Sequence, residues 1–319
     1  MKQFREVRPL PVVIAGDNDP HVQAVLSHLS LNQVTAIKIN PARLAETDLT
    51  VSPSNLLIAG SSLFKATSVW YRRNPPLVLP DEMEEKWKRW CKQEFAQAFL
   101  GSLMRLPVHW VSNPYNILRA SLKVLQLQVA REVELTVPDY VVTSNPEQAY
   151  QFIQRCHGKA VVKSLGRPIV GDDHTLATIF TNRVENVSKS EWQQLRYSPC
   201  IFQRLIDKVA EIRVTVVGDR LFSARIELTE SIGDVDYRTL DPYTLKHEII
   251  ELPTFLSKAC IELTKRLGLR FAALDFLLDA EDKFYFLEIN PNGQWLWIEE
   301  LTGLPIANAI AEELCTTSQ

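Results

Sequence analysis

Phe286-Leu287-Glu288-Ile289-Asn290-Pro291-Asn292-Gly293-Gln294 places a carboxylate and an amide two residues apart on an apolar strand that stops at Pro-Asn-Gly. Side chains alternate along a strand, so Glu288 and Asn290 are expected on one face and Leu287 and Ile289 on the other. Two oxygen donors on one face at a strand end suit Mg²⁺, a hard cation that takes oxygen ligands and shares them with phosphates. The stretch points to a nucleotide-handling enzyme.

Working outward, residues 271–278 and 284–290 read as a hairpin around 279–283. A loop centred near Glu281 puts Asp275 beside Leu287 or Glu288, and a slip of one residue would turn it to the opposite face. Asp275 lies in the apolar run Ala272-Ala273-Leu274-Asp275-Phe276-Leu277. A carboxylate buried there is costly unless it is paired or metal-bound. Two readings follow: a metal site of Asp275, Glu288 and Asn290, or ion pairs from Asp275 or Glu288 to an arginine such as Arg213 or Arg225. Further upstream, Lys163 closes the apolar run Ala160-Val161-Val162-Lys163. It either meets phosphate as a point charge or runs its stem out to solvent. Gly166 and Gly171 follow in a loop whose backbone N–H groups would suit phosphates. Lys123, inside a helical stretch, is by itself an ordinary solvated lysine.

Composition narrows the setting. The chain has 319 residues, 46% hydrophobic and 23% charged, with a net charge of −3. That length supports two or three modules, and the near balance of charge gives no field favouring nucleic acid or an anionic membrane. No apolar run approaches a spanning length, and Met1-Lys2-Gln3-Phe4-Arg5-Glu6 has no apolar signal core, so a cytoplasmic location is expected. Cys91, Cys156, Cys200, Cys260 and Cys315 are scattered without a CxxC and read as reduced core thiols. His21, His28, His109, His157, His174 and His247 are dispersed and read as structural or solvated. No Gly-x-Ser-x-Gly or His-Glu-x-x-His motif supports a hydrolase, and no local Cys/His signature supports a thiol enzyme.

The chain reads as three units. Strands at 11–16, 34–39, 56–59 and 69–73, with a helix at 21–29, form an open α/β module over residues 1–113. A long helix at 81–103 belongs to it, and its stripe of Trp87, Trp90, Cys91, Phe95 and Phe99 is expected to be core. Residues 114–200 read as a small lid: one helix over 117–135, strands at 140–143 and 160–163, and a helix at 146–156. Residues 201–319 carry antiparallel signal, with strands at 201–206, 212–217 and 221–227, a turn at Gly218-Asp219, a helix at 255–267 stopped by Gly268, and the opening hairpin.

The order Lys123, Val137-Pro138, Lys163, Gln203-Arg204-Leu205-Ile206, Glu211, Asp275 and Glu288-x-Asn290 resembles the ATP-grasp superfamily over roughly residues 112–315. The resemblance implies an α/β (α+β) ATP-grasp fold with an N-terminal pre-ATP-grasp domain, a central lid and a C-terminal antiparallel sheet. It implies ATP and Mg²⁺ as cofactors. Lys123 and Lys163 would contact phosphate, Gln203, Arg204 and Leu205 would form the hinge whose backbone reads adenine, and Glu211 would bind ribose. Asp275, Glu288 and Asn290 would hold Mg²⁺. The implied chemistry is phosphorylation of a carboxylate, followed by attack of a nucleophile on the acyl phosphate.

A narrower resemblance spans nearly the whole chain. Val69-Trp70-Tyr71-Arg72-Arg73-x-Pro75, Lys123-x-x-Gln126-Leu127-x-x-Ala130, Arg213-Val214-Thr215-Val216-Val217-Gly218-Asp219, Asp236-Tyr237-Arg238 and Asn290-Pro291-Asn292-Gly293-Gln294-Trp295 occur together. This set is similar to the microviridin-type, or graspetide, synthetases. It implies a precursor peptide bound through its leader, with core Asp or Glu side chains joined to Ser/Thr hydroxyls or Lys amines. Arg213 and Arg238 would handle acceptor and nucleophile groups, and residues 225–240 would lie near the leader. From the residues themselves, Arg213 is equally read as a salt bridge to the metal carboxylates, Arg238 as a surface residue, and the Trp-Tyr-Arg-Arg strand as interdomain packing. Two other functions fit the motif order: a ligase adding free amino acids such as glutamate, and an ATP-binding regulatory module without chemistry. The oligomeric state stays open, a homodimer included.

Overall fold

The computed structural model describes residues 8–166, 169–171, 176–178, 181–185, 189–227 and 241–316. The chain begins with β1 (Pro11–Ile14), α1 (Pro20–Leu31) and β2 (Ile37–Ile39), followed by the short strands β3 (Leu49–Ser52), β4 (Asn55–Ile58) and β5 (Ser61–Ser62). Then come β6 (Ser68–Tyr71), α2 (Glu85–Leu103) and β7 (His109–Trp110). β2, β1, β6 and β7 form a parallel sheet in that order. Its central strand is buried throughout, as expected where both faces are covered. The strand expected at 56–59 exists as β4, but it pairs antiparallel with β3 and β5 in a separate meander. The strand expected from residue 34 starts only at Ile37. Residues 32–34 close the end of α1, with Gln33 at φ 58° and the Val34 N–H bonded to the Leu29 carbonyl.

α2 departs from its expected role. Only Phe99, Ser102 and Leu103 are buried, while Trp87 and Trp90 are 52% and 54% exposed. The two indoles meet edge to face with centroids 6.3 Å apart. Periodicity marks an apolar stripe, but it does not say whether another element covers it.

The middle of the chain holds α3 (Pro114–Ala120), α4 (Lys123–Glu132), β8 (Tyr140–Thr143), α5 (Pro146–Arg155), β9 (Ala160–Lys163), the hairpin β10 (Ile169–Gly171) and β11 (Leu176–Thr178), β12 (Asn182–Arg183), α6 (Lys189–Gln194) and β13 (Cys200–Arg204). Helices α1, α3 and α5 begin alike: Asp19, Asn113 or Asn145 accepts from a backbone N–H two residues on, and proline follows at the first helical position. The single helix expected over 117–135 is two helices. Gln126 donates to the Ala120 carbonyl at 2.6 Å, capping the end of α3, and a new helix opens at Lys123. Strands β12, β9, β13 and β8 form an antiparallel sheet in that order.

The last part contains β14 (Lys208–Val217), β15 (Arg220–Glu227), β16 (His247–Ile249), α7 (Thr254–Arg266), β17 (Phe271–Asp279), β18 (Phe284–Asn290), α8 (Leu296–Thr302) and α9 (Ile306–Cys315). The strands make a five-stranded antiparallel sheet, β16-β15-β14-β17-β18. α4 and α7 cover one face of it through Leu127, Val129, Ala130, Cys260 and Leu263. α1 and α9 share a second core with Trp70, Val217 and Trp295, joining the parallel sheet to the antiparallel one. Among the described residues, no helix is long and apolar enough to cross a membrane.

Candidate active site

The strand pairings build the site. Arg213 on β14 lies opposite Asp275 on β17, and Asp275 lies opposite Glu288 on β18, so the expected hairpin register holds. The register then shifts: Phe276 pairs with Phe286, and Leu287 is left between two partners. This bulge changes the alternation. Phe286 and Ile289 are buried in the core, whereas Leu287, Glu288 and Asn290 are all half-buried. Strict alternation predicts Leu287 on the face of Ile289, and the bulge takes it off that face. Leu287 lines a narrow cavity with Lys163 and Gln203.

The polar groups on this open face form one chain of contacts. Arg213 Nη1 donates to Asp275 Oδ1 at 2.6 Å. Asn290 Nδ2 donates to Asp275 Oδ2 at 3.0 Å and to Glu288 Oε1 at 3.2 Å. Lys123 Nζ donates to Glu288 Oε2 at 2.6 Å. The ion-pair reading of Asp275 holds, with Arg213 as its partner, and Asp275 also stands beside the other two oxygen-bearing side chains. Two carboxylates and an amide brought within hydrogen-bond reach of each other are a donor set of the chemistry Mg²⁺ requires, and Asn290 bridges the two acids.

Lys123 reaches Glu288 because it opens α4. Gln126, one turn later and buried, holds α4 to β18: its Nε2 donates to the Ile289 carbonyl at 2.9 Å and its Oε1 accepts from the Ile289 N–H at 3.3 Å. Gln126 carries no charge and has no role in the sequence reading beyond its place in a motif. Its three-residue spacing from Lys123 was the available signal.

A narrow cavity of about 40 Å³ lies on one side of the donor set, lined by Val161, Lys163, Gln203, Leu205, Leu277 and Leu287 among others. Lys163 Nζ donates to Gln203 Oε1 at 2.9 Å. Gln203 is 2% exposed, and its Nε2 is a buried donor with no partner among the described residues. The backbone N–H groups of Arg204 and Leu205 donate to the carbonyls of Asp139 and Lys159, so those two N–H groups are already engaged. Arg204 also pairs with Asp139 at 3.2 Å. Glu211 is buried on β14 and is ion-paired with Lys208.

On the other side lies a wider cleft of about 560 Å³. Arg213, Asp275 and Asn290 border it, with His21 and Arg73 from the N-terminal part and Tyr243, Trp297 and Glu300 opposite. His21 packs edge-on to Trp295, with centroids 4.9 Å apart. Burial lowers its pKa to about 4, helped by Arg72, Arg73 and Arg213 and opposed by Asp19. Neither His21 nor Arg73 is a site residue in the sequence reading, because both come from the N-terminal parallel-sheet part and not from the sheet that carries Asp275 and Asn290. Arg238 and the Asp236-Tyr237-Arg238 motif lie outside the described residues.

Residues 120–314 match the RimK-like ATP-grasp domain. The chain belongs to the RimK-like ATP-grasp family. Within this fold, the macrocyclase MdnC from Microcystis aeruginosa MRC, solved with its precursor peptide MdnA, is similar at 27% identity and a TM-score of 0.83, covering 96% of this chain and 99% of that one. A RiPP-associated ATP-grasp ligase from Chryseobacterium gregarium, solved with ADP and a leader and core peptide, is 26% identical with a TM-score of 0.86, covering 96% of each chain. The macrocyclase MdnB from Microcystis aeruginosa MRC is 26% identical with a TM-score of 0.79, covering 96% and 99%. A pyruvate carboxylase of Pichia angusta is 26% identical over 217 residues, 63% of this chain, and the match spans only 18% of that protein. The expected ATP-grasp fold is thereby established over most of the chain.

Proposed function

We propose that this ATP-grasp protein is an ATP-dependent ligase that closes rings in a ribosomally made precursor peptide, by ester or amide bonds from Asp or Glu side chains. The observation that carries the reading is the placement of Asp275, Asn290 and Glu288 between a narrow apolar cavity and a wide cleft with arginines at its border. The cleft suits a peptide side chain with an ionised carboxylate, and the narrow cavity, about 40 Å³ here, has to widen to take a nucleotide base. The similarity over 96% of the chain to macrocyclases and a peptide ligase supports the same substrate class.

In this reading adenine enters beside Leu205, Leu277 and Leu287. Gln203 Nε2, which has no partner among the described residues, supplies a donor there, in place of the engaged N–H groups of Arg204 and Leu205. Glu211 takes the ribose, and Lys163 and Lys123 meet the phosphates as point charges. Asp275, Glu288 and Asn290 would hold Mg²⁺, which supplies charge neutralisation at the transferring phosphoryl group. Arg213 orients the acceptor carboxylate at the cleft floor, with Arg238 assigned to the nucleophile side. A carboxylate oxygen attacks the γ-phosphorus and ADP leaves with the electrons of the broken P–O bond. The hydroxyl or amine then attacks the acyl carbon, inorganic phosphate departs, and the nucleophile's proton passes to solvent. ATP use and five free cysteines among the described residues suit a cytoplasmic enzyme.

Mass spectrometry of a peptide encoded beside this chain, incubated with the protein, ATP and Mg²⁺, tests the reading. Loss of one water per ring with stoichiometric ADP is expected. A gain of glutamate mass would replace it with free amino-acid addition, and an unchanged peptide with no ADP would remove the ligase assignment.

A further inference from the structure

The backbone just beyond the donor strand is held by three arginines from two sheets. Arg72, at the end of β6, donates from Nη1 to the Asn292 carbonyl at 2.7 Å and the Gly293 carbonyl at 3.3 Å. Arg73 Nε donates to the Asn292 carbonyl at 3.2 Å. Arg213 Nη2 donates to the Gln294 carbonyl at 2.6 Å. Arg72 is 1% exposed, and its Nε lies 3.4 Å from Asp19 Oδ2. Asp19 uses its other oxygen to cap α1, accepting from the His21 N–H at 2.9 Å.

The loop has no slack to take up an error. A Cβ on Gly293 would lie 2.5 Å from Ala273 Cβ and 3.0 Å from Arg213 Nη2. Asn292 is two residues from Asn290, whose amide bridges Asp275 and Glu288. A shift of the 292–294 backbone therefore moves a bridging donor and the arginine on Asp275 together. A buried guanidinium is costly to desolvate, and here it is spent on two carbonyls that carry no substrate.

We propose that Arg72 is a positioning residue for the metal-donor strand. It fixes the carbonyls of Asn292 and Gly293 so that Asn290 stays between the two acids and Arg213 stays on Asp275. The N-terminal α/β part thereby sets the geometry of a site whose donors all lie on the C-terminal sheet. The proposal rests on reading Asp275, Glu288 and Asn290 as the Mg²⁺ site. Arg72 does not line the narrow cavity proposed for the base, so its effect is confined to the metal-dependent part of nucleotide binding.

The test is calorimetric titration of the full chain with a non-hydrolysable ATP analogue, with and without Mg²⁺. Wild type is expected to bind more tightly with Mg²⁺. Arg72→Gln is expected to keep the Mg²⁺-free affinity and lose about tenfold or more of the Mg²⁺-dependent gain, the scale set by contacts that orient metal ligands. Arg72→Lys restores part of that gain. Asp19→Asn, which keeps a good helix cap, gives an intermediate loss and carries the test if Arg72→Gln does not fold. A full Mg²⁺ gain in a folded Arg72→Gln, or in Asp19→Asn where that variant stands in, overturns the proposal, as does equal loss of Mg²⁺-free binding. No Mg²⁺ gain in wild type would instead overturn the metal site itself.

Discussion

Lys123 Nζ lies 2.6 Å from Glu288 Oε2, joining the first residue of α4 to the strand that carries Glu288 and Asn290. The pair keeps the cation proposed to meet phosphate and the acid proposed to hold Mg²⁺ satisfied by each other. Glu288→Gln keeps the shape and removes the charge. The pair is partly exposed, so stability should change by about 1 kcal/mol or less. Ligation should fall by about a hundredfold or more, because a lost metal ligand removes several kcal/mol of transition-state stabilisation. ADP release and thermal melting check both halves, and wild-type turnover would remove Glu288 from the metal set.

Asp275→Asn should behave differently. Arg213 and Asp275 are 7% and 11% exposed at their side chains. Neutralising one partner leaves Arg213 buried and uncompensated, so unfolding should be eased by about 3 kcal/mol, together with near loss of ligation. Urea denaturation separates this variant from Glu288→Gln.

Arg213→Ala should spare Mg²⁺-free binding of a non-hydrolysable ATP analogue and lose product. The guanidinium stands at the wide cleft, away from Gln203 and Leu205 in the narrow cavity. Unchanged product yield would take Arg213 out of the acceptor site.

Gly293→Ala tests the packing of the loop. The added methyl meets Ala273 Cβ on β17, which cannot swing aside as a long side chain would. A loss of about 1–3 kcal/mol is expected from forced overpacking, seen as a lower urea midpoint at unchanged slope. An unchanged midpoint would show that the loop has room.

His21 makes stability depend on pH. Burial, aided by the nearby arginines, lowers its pKa in the folded chain to about 4 from 6.5. Between these values the unfolded chain binds the extra proton, so its contribution is complete above pH 6.5 and declines as pH falls toward 4. His21→Gln should flatten the stability profile within that window. An identical slope in wild type and variant would show that other groups carry it.

Much of this site was legible because its information is local. The Glu288-x-Asn290 spacing and the turn between β17 and β18 lie within one hairpin, and loop length narrows the partner of Asp275 to Leu287 or Glu288, of which the structure has Glu288. Three Asx-Pro pairs open α1, α3 and α5 by capping that is equally local. The Trp87 and Trp90 stripe misled because an amphipathic pattern describes a helix surface and not its neighbour.

By itself the sequence determined the donor chemistry, the hairpin that presents it and the family. Side-chain alternation, capping and turn propensity act over a few residues. Tertiary structure alone decided that Leu287 shares the open face, that α4 restarts at Lys123, and that Arg72 holds the donor loop. These outcomes depend on a bulge and on contacts such as Lys123 to Glu288 and Arg72 to Asn292, which join residues 165 and 220 positions apart. No local preference encodes such a contact. It exists only because packed sheets leave buried carbonyls and charges that must find a partner.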